Sequence, residues 1–213
     1  MLVATTLSAQ YITLSKAVKT SDSKDKFFYK VNPETDNAEY LGEIEVQGLS
    51  KDDPDVFSQI YKKAKTIGAN AFSLKLAEDL DGNIKFNPEH YFINLYHTTT
   101  LPKEENTVYI ISSSNKEQKI KINNKNVKIQ PRAFFKLQLQ PAEVQSISTG
   151  KLLGSKILLS QKQGQPAQYF QILPAGIRAD HVGMGGLNLK SGDIILLEKS
   201  YAQFLTTIYK ENK

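Results

Sequence analysis

The stretch from Ala38 to Leu76, AEYLGEIEVQGLSKDDPDVFSQIYKKAKTIGANAFSLKL, decides the fold of the first half of the chain, because it carries the boundary signals of a strand, a helix and a second strand in succession. Over Ala38–Val46, Gly42, Ile44 and Val46 fall on one side of an extended segment and Leu41, Glu43 and Glu45 on the other, the period-two alternation of a half-buried strand. The chain turns at Gly48. Asp53 reads as a helix N-cap, Pro54 suits the first helical position because its missing N–H is an orphan donor there, and Asp55 favours the positive helix end. Val56, Phe57, Ile60, Tyr61, Ala64 and Ile67 recur at spacings of three and four, and Lys62, Lys63 and Lys65 gather toward the helix C-terminus. Gly68 can take the left-handed conformation and is expected to end the helix there, and Phe72, Leu74 and Leu76 alternate with Ala71, Ser73 and Lys75 in the next strand.

Working outward, residues 11–37 read as a loosely held lead-in with one strand, an aromatic island Phe27-Phe28-Tyr29 and a turn over Asn32–Asn37. An Asp81-Gly82-Asn83 turn precedes a strand near Tyr91–His97. Residues 27–100 are therefore expected to form a strand-helix-strand-strand domain whose first two strands are joined by a right-handed crossover. TTTLPKEEN, Thr98–Asn106, reads as a linker. From Thr107 short apolar strands follow one another with Pro, Gly and Asn-Asn punctuation, which predicts an antiparallel β-sandwich over 107–213. Ala202–Tyr209 reads as a closing strand or a short helix. The fold class expected is α+β, a small strand-helix-strand-strand domain followed by an antiparallel β-sandwich domain.

Ala64-Lys65 and Gly68-Ala69-Asn70-Ala71 form an AKxxGANA segment, which resembles the small α+β domains of bacterial envelope proteins such as the Rcs stress-sensor lipoprotein and the heavy-metal-binding family of short proteins. The run KIKINNKNVKIQPRAFFKLQLQPAE followed by GQPAQYFQI, within residues 107–173, resembles the small immunoglobulin-like β modules of the same compartment. Those modules carry a Pro-Gly corner, which here reads Gln140-Pro141-Ala142 without the Gly. The resemblances imply an envelope address, and with no catalytic motif in the chain the expectation is a non-enzymatic binding or structural module, periplasmic or secreted, whose partner is another envelope protein or a polyanion. No heavy-metal ligand carries over, since the chain has no Cys and no clustered His around the matching segment.

The absence of Cys removes disulfides, thiolate metal sites and cysteine nucleophiles together. No apolar run reaches the ~18 residues of a membrane-spanning helix. Residues 1–10, small and apolar from Leu2 to Ala9, read either as the end of a truncated signal peptide or as a buried first strand. The net charge of +5 is uneven: residues 1–103 carry 12 Lys and Arg against 14 Asp and Glu, residues 104–213 carry 15 against 8. An excess confined to one half marks either an anionic partner or a solubilised surface.

No residues are assigned to catalysis, to a cofactor or to a metal. His90 and His97 are separated by an odd number and so face opposite ways on a strand. Asp79, Asp81 and Asn83 alternate like calcium ligands but lack the Gly and distal Glu of a helix-loop-helix site. Gly183-Met184-Gly185-Gly186 lacks the Lys and hydroxyl residue of a phosphate loop. Glu43 and Glu45 share a strand face, as the two carboxylates of a hydrolase could. The strongest candidate surface runs from Lys116 to Lys136, where seven basic side chains meet one acidic one. Within it Lys119, Lys121, Lys128, Arg132 and Lys136 are the candidate polyanion contacts, with Phe134 and Phe135 near enough to stack on a base or sugar. The alternative is an exposed strand whose lysines discourage edge-to-edge pairing.

Overall fold

The computed structural model describes residues 10–48, 50, 52–78, 81–82, 84–100, 103–149, 154–173 and 194–212. The chain is β-rich, and its contacts divide it into two compact units, Met1–Leu101 and Pro102–Lys213.

The first unit holds β1 (Tyr11–Ala17), β2 (Tyr29–Lys30), β3 (Glu39–Gln47), α1 (Asp53–Thr66), β4 (Ala71–Leu76) and β5 (His90–His97) in one sheet of order β1-β3-β5-β4-β2 with one helix. β5 runs antiparallel to both β3 and β4, so the two strands joined by α1 are parallel and β5 is inserted between them. Ile44, Val46, Phe72, Ile93 and Leu95 are completely buried, as are Ile60 and Ala64 of α1, which bears out the helical stripe, whereas the strand alternation holds only in part: Glu43, Ala71 and Ser73 are buried from the other face and Leu74 and Leu76 are half-buried.

Three details differ from expectation. Leu41 is buried rather than paired with the acidic face, because the β3–β5 register skips one residue between Tyr40 and Gly42, and such a bulge resets the alternation. The N-cap is Asp52, whose side chain accepts the Asp55 N–H at 3.1 Å, so Asp53 becomes the first helical residue. The lead-in is also firmly held: β1 pairs antiparallel along β3, β2 pairs with β4, and Ser21 N–H donates to the Ile67 carbonyl at 3.0 Å. Gly42 permits the β1–β3 approach, since a Cβ there would lie 2.2 Å from the Lys16 carbonyl oxygen.

The second unit holds β6 (Thr107–Ile111), β7 (Gln118–Ile122), β8 (Lys125–Ile129), β9 (Ala133–Gln138), β10 (Val144–Ser148), β11 (Lys156–Ser160), β12 (Gln168–Ile172), β13 (Ile194–Leu196), α2 (Lys199–Ile208) and β14 (Lys210–Glu211). They form a four-stranded sheet, β11-β10-β7-β8, and a five-stranded sheet, β13-β12-β6-β9-β14. Val108, Ile110, Ala133, Phe170 and Ile172 from the larger sheet share one apolar cluster with Ile120, Ile129 and Ile147 from the smaller. The β7–β8 connection is the Asn123-Asn124 turn, with φ of 49° and 64°, the paired left-handed conformation that matches strand twist in a two-residue hairpin.

This unit is not wholly antiparallel. β12 runs parallel to β6 and β14 parallel to β9, which is possible because long connections separate each pair and the second of them carries α2. Ala202–Tyr209 is helical up to Ile208: Ala202, Leu205 and Ile208 repeat at three-residue spacing and are buried, and Glu198 accepts the Tyr201 N–H at 3.0 Å as the cap. Gln203 of α2 donates to the Tyr169 hydroxyl at 3.4 Å, on the side of the larger sheet away from the smaller one. All five residues of β6 are consequently buried, covered on both faces. Tyr109 and Tyr169 stack there with ring centroids 4.8 Å apart, and burial pushes the Tyr169 hydroxyl up to about 12 and the Tyr109 hydroxyl higher still.

Ala142 takes a φ of 60° after Pro141, and Glu143 N–H donates back to the Gln140 carbonyl at 3.3 Å. An alanine therefore occupies the left-handed position that glycine fills in a Pro-Gly turn. Left-handed backbone costs a side-chain residue about 1–2 kcal/mol, against about 0.5–1 kcal/mol of extra unfolded-state entropy for glycine. Ala142→Gly is expected to stabilise the second unit by about 0.5–1 kcal/mol. A lower denaturation midpoint for the variant would contradict this account of the turn.

Candidate functional site

The outer face of the four-stranded sheet gathers the lysines. In β7, Ile120 is buried and Ile122 packs on the core from the same side, while Lys119 and Lys121 point the other way. The Asn-Asn hairpin sets Lys119 directly opposite Lys128 and Lys121 opposite Asn126. On the other flank Lys121 pairs with Ser148, which is itself opposite Lys156 at the start of β11. Lys119, Lys121, Lys128 and Lys156 thus share one sheet face, and none of them has an ion-pair partner among the described residues. Glu117, the nearest acid in sequence, accepts from the Gln130 side chain at 3.0 Å. Opposed like charges on neighbouring strands are mildly destabilising, so the Lys119–Lys128 pair is not something the fold itself requires.

Two of the expected contacts belong elsewhere. Lys136 lies in β9, in the larger sheet, where it pairs with Glu104 at 2.8 Å and stands 5.6 Å from the Tyr109 ring. Arg132, at a φ of 54° in the turn before β9, lies over the Tyr209 ring at 5.0 Å. The chain changes sheets between Ile129 and Ala133, and the basic run therefore divides into two surfaces. The aromatic partners are also unavailable: Phe134 is buried against Tyr109, and Phe135 packs into the cluster between the sheets.

A second polar surface is the helix-free side of the first sheet, where Glu43 and Glu45 both emerge. They are engaged separately. Glu43 is almost completely buried, accepts from Lys75 Nζ at 2.6 Å and receives the Ser15 hydroxyl at 3.4 Å. Glu45 lies 2.8 Å from His90 Nε2 and 2.7 Å from Gln47 Nε2, and these hydrogen bonds hold its carboxyl below the usual range. A general acid needs the opposite shift, so Glu45 is not set up as one. His97 lies seven positions along β5 from His90, and the two face opposite sides of the sheet.

The AKxxGANA residues have structural duties. Lys65 Nζ donates to the carbonyls of Asp25 at 2.8 Å, Phe27 at 2.7 Å and Ala69 at 2.9 Å. Gly68 has a φ of 73°, and a Cβ there would lie 1.8 Å from the Ser21 carbonyl oxygen. Buried Asn70 binds the backbone of Thr98 in both directions, accepting its N–H at 2.9 Å and donating to its carbonyl at 2.8 Å. Ala64, Ala69 and Ala71 are completely buried.

A shallow groove among the loops of the second unit is lined by Glu105, Asn106, Pro141, Ala142 and Lys162, with Asn106 held by Gln165 and Lys162 backbone groups. No group of three or more His, Cys, Asp or Glu poised to hold a metal occurs among the described residues, and no described helix is long and apolar enough to cross a membrane. Residues 1–9, Asp79, Asn83, His181 and Gly183–Gly186 lie outside the described residues. No protein-family model, curated protein or solved structure matches the chain.

Proposed function

We propose that the protein is a non-catalytic binding module and that its working surface is the lysine-bearing face of the four-stranded sheet, which takes a polyanion. The observation that carries this reading is the set of Lys119, Lys121, Lys128 and Lys156 on one sheet face without acidic partners among the described residues. Lysines contact phosphate or sulfate groups as point charges without demanding one geometry, and such contacts release counterions. Replacing Lys119 and Lys121 with Gln leaves the strand's inward isoleucines untouched and so preserves the fold. The double variant is expected to elute from heparin at clearly lower salt, with the log–log salt slope reduced by about one to two units. Equal elution would leave the lysines as guards against edge pairing and remove the reading.

The likeness of Ala64–Ala71 and of residues 107–173 to envelope modules supports a periplasmic or secreted address. Recovery of the native protein from the cytoplasmic fraction would remove this part of the proposal. The finer architecture we infer is an α+β domain followed by a β-sandwich domain, each able to stand alone. Limited proteolysis is expected to cut first near residues 99–103, just ahead of Glu104 and Asn106, which the second unit holds, and to leave two resistant fragments, whereas a single cooperative unit without such an intermediate would contradict the division.

A further inference from the structure

We infer that the lysine face docks on an anionic lipid surface, an inference that rests on the polyanion reading and narrows it. The supporting observation is separate from the charges. Leu158 and Val144 are 64% and 61% exposed, among the most exposed large apolar residues of the described chain. The β10–β11 register places Ser146 opposite Leu158 and Val144 opposite Ser160, so the two aliphatic side chains are diagonal neighbours on this same face. Ser146 and Ser148 of β10 lie between them and Lys121, and short side chains there leave the aliphatic pair standing proud of its surroundings. The face is therefore divided: lysines on β7 and β8 with Lys156 at one corner, and an apolar projection on β10 and β11.

A soluble polyanion has no use for that projection, since a sulfated sugar or a nucleic-acid backbone gains nothing from a leucine. A bilayer leaflet offers both halves of the complement, phosphate groups at the level of the ammonium groups and acyl chains just below them. Each lysine at an anionic membrane surface contributes roughly a five-fold factor in partitioning, so four act together strongly while remaining sensitive to salt. The aliphatic pair adds a contribution that salt does not screen. Charge attraction and shallow apolar insertion supply the two signals that peripheral attachment needs.

The test compares the full chain, Lys119→Gln/Lys121→Gln and Val144→Ser/Leu158→Ser on two probes: a heparin column, and sedimentation with vesicles of phosphatidylcholine alone or mixed equally with phosphatidylglycerol. All four substituted side chains are at least partly exposed strand positions, and matching thermal transitions confirm that each variant is folded. The parent is expected to sediment with the phosphatidylglycerol vesicles and not with phosphatidylcholine alone. The lysine variant should lose at least about ten-fold in vesicle partitioning and also elute earlier from heparin. The serine variant should elute from heparin with the parent yet partition several-fold more weakly. Equal vesicle binding by the serine variant and the parent, or heparin retention by a parent that ignores phosphatidylglycerol vesicles, would overturn the lipid inference and leave the polyanion reading intact. Unchanged behaviour of the lysine variant on both probes would overturn both.

Discussion

Gly68→Ala is expected to destabilise the first unit by about 3 kcal/mol, well beyond an ordinary glycine substitution. Two costs combine. A side chain at the observed φ of 73° costs about 1–2 kcal/mol. The new Cβ would also meet the Ser21 carbonyl oxygen at 1.8 Å, and that oxygen is backbone, so no rotamer change relieves the overlap. Ser21 is fixed in turn by its N–H bond to Ile67 and cannot retreat without giving it up. Moving backbone to admit one carbon in a packed site costs a further ~1–3 kcal/mol. Denaturant melting of the variant checks this, and a loss of only about 1 kcal/mol would show that the lead-in yields freely at Ser21.

Much of the first unit is legible in the sequence, because its deciding signals are local. Asp52 and Asp53 compete for one cap, a choice that two adjacent acids leave open, and the helix otherwise begins and ends where its pattern does. The exception is Leu41. Its burial follows from a bulge in the pairing of β3 with β5, which is a relation between segments some fifty residues apart and leaves no trace in either. The order β3-β5-β4 is of the same kind, since alternation tells which face of a strand is buried and not which strand lies beside it.

The lysine face shows the same divide. Lys119 and Lys121 alternate with Ile120 and Ile122, so their exposure can be read directly, and a two-residue turn fixes Lys128 opposite Lys119. Lys156 reaches that face only through β10, which pairs with β7 on one side and β11 on the other. Arg132 and Lys136 follow Pro131 in an unbroken basic run, yet the chain passes to the other sheet at that point. Charge along a sequence shows how many cations are present; the crossing from sheet to sheet decides which of them share a surface. The helix α2 illustrates a different limit, because Ala202–Ile208, rich in Phe, Thr and Ile, satisfies a strand's preferences yet is helical where it packs on Tyr169.

Lys65→Met tests whether the lead-in is held by one side chain. The ammonium group spends its three N–H donors on the carbonyls of Asp25, Phe27 and Ala69, and it lies 5.1 Å from the Tyr61 ring and 5.8 Å from the Phe28 ring. Methionine keeps most of the stem's volume and removes the donors, leaving three carbonyls to find water in a partly enclosed site. Loss of charge-assisted bonds of this kind is expected to cost about 2–4 kcal/mol and to open residues 19–28 to proteases ahead of the rest of the unit. The group also carries a pH signature. Burial lowers its pKa to about 8, outweighing the opposing pull of the Asp25 carboxylate. The unfolded chain, with an ordinary lysine near ~10.4, then holds the proton more tightly, so this group makes stability rise as pH climbs from about 8 toward 10. Melts of the first unit across that window should show the rise in the parent and its loss in Lys65→Met. A parent that falls steadily from pH 8, or a variant that keeps both the rise and the protease resistance of 19–28, would show that the three carbonyls do not depend on Lys65.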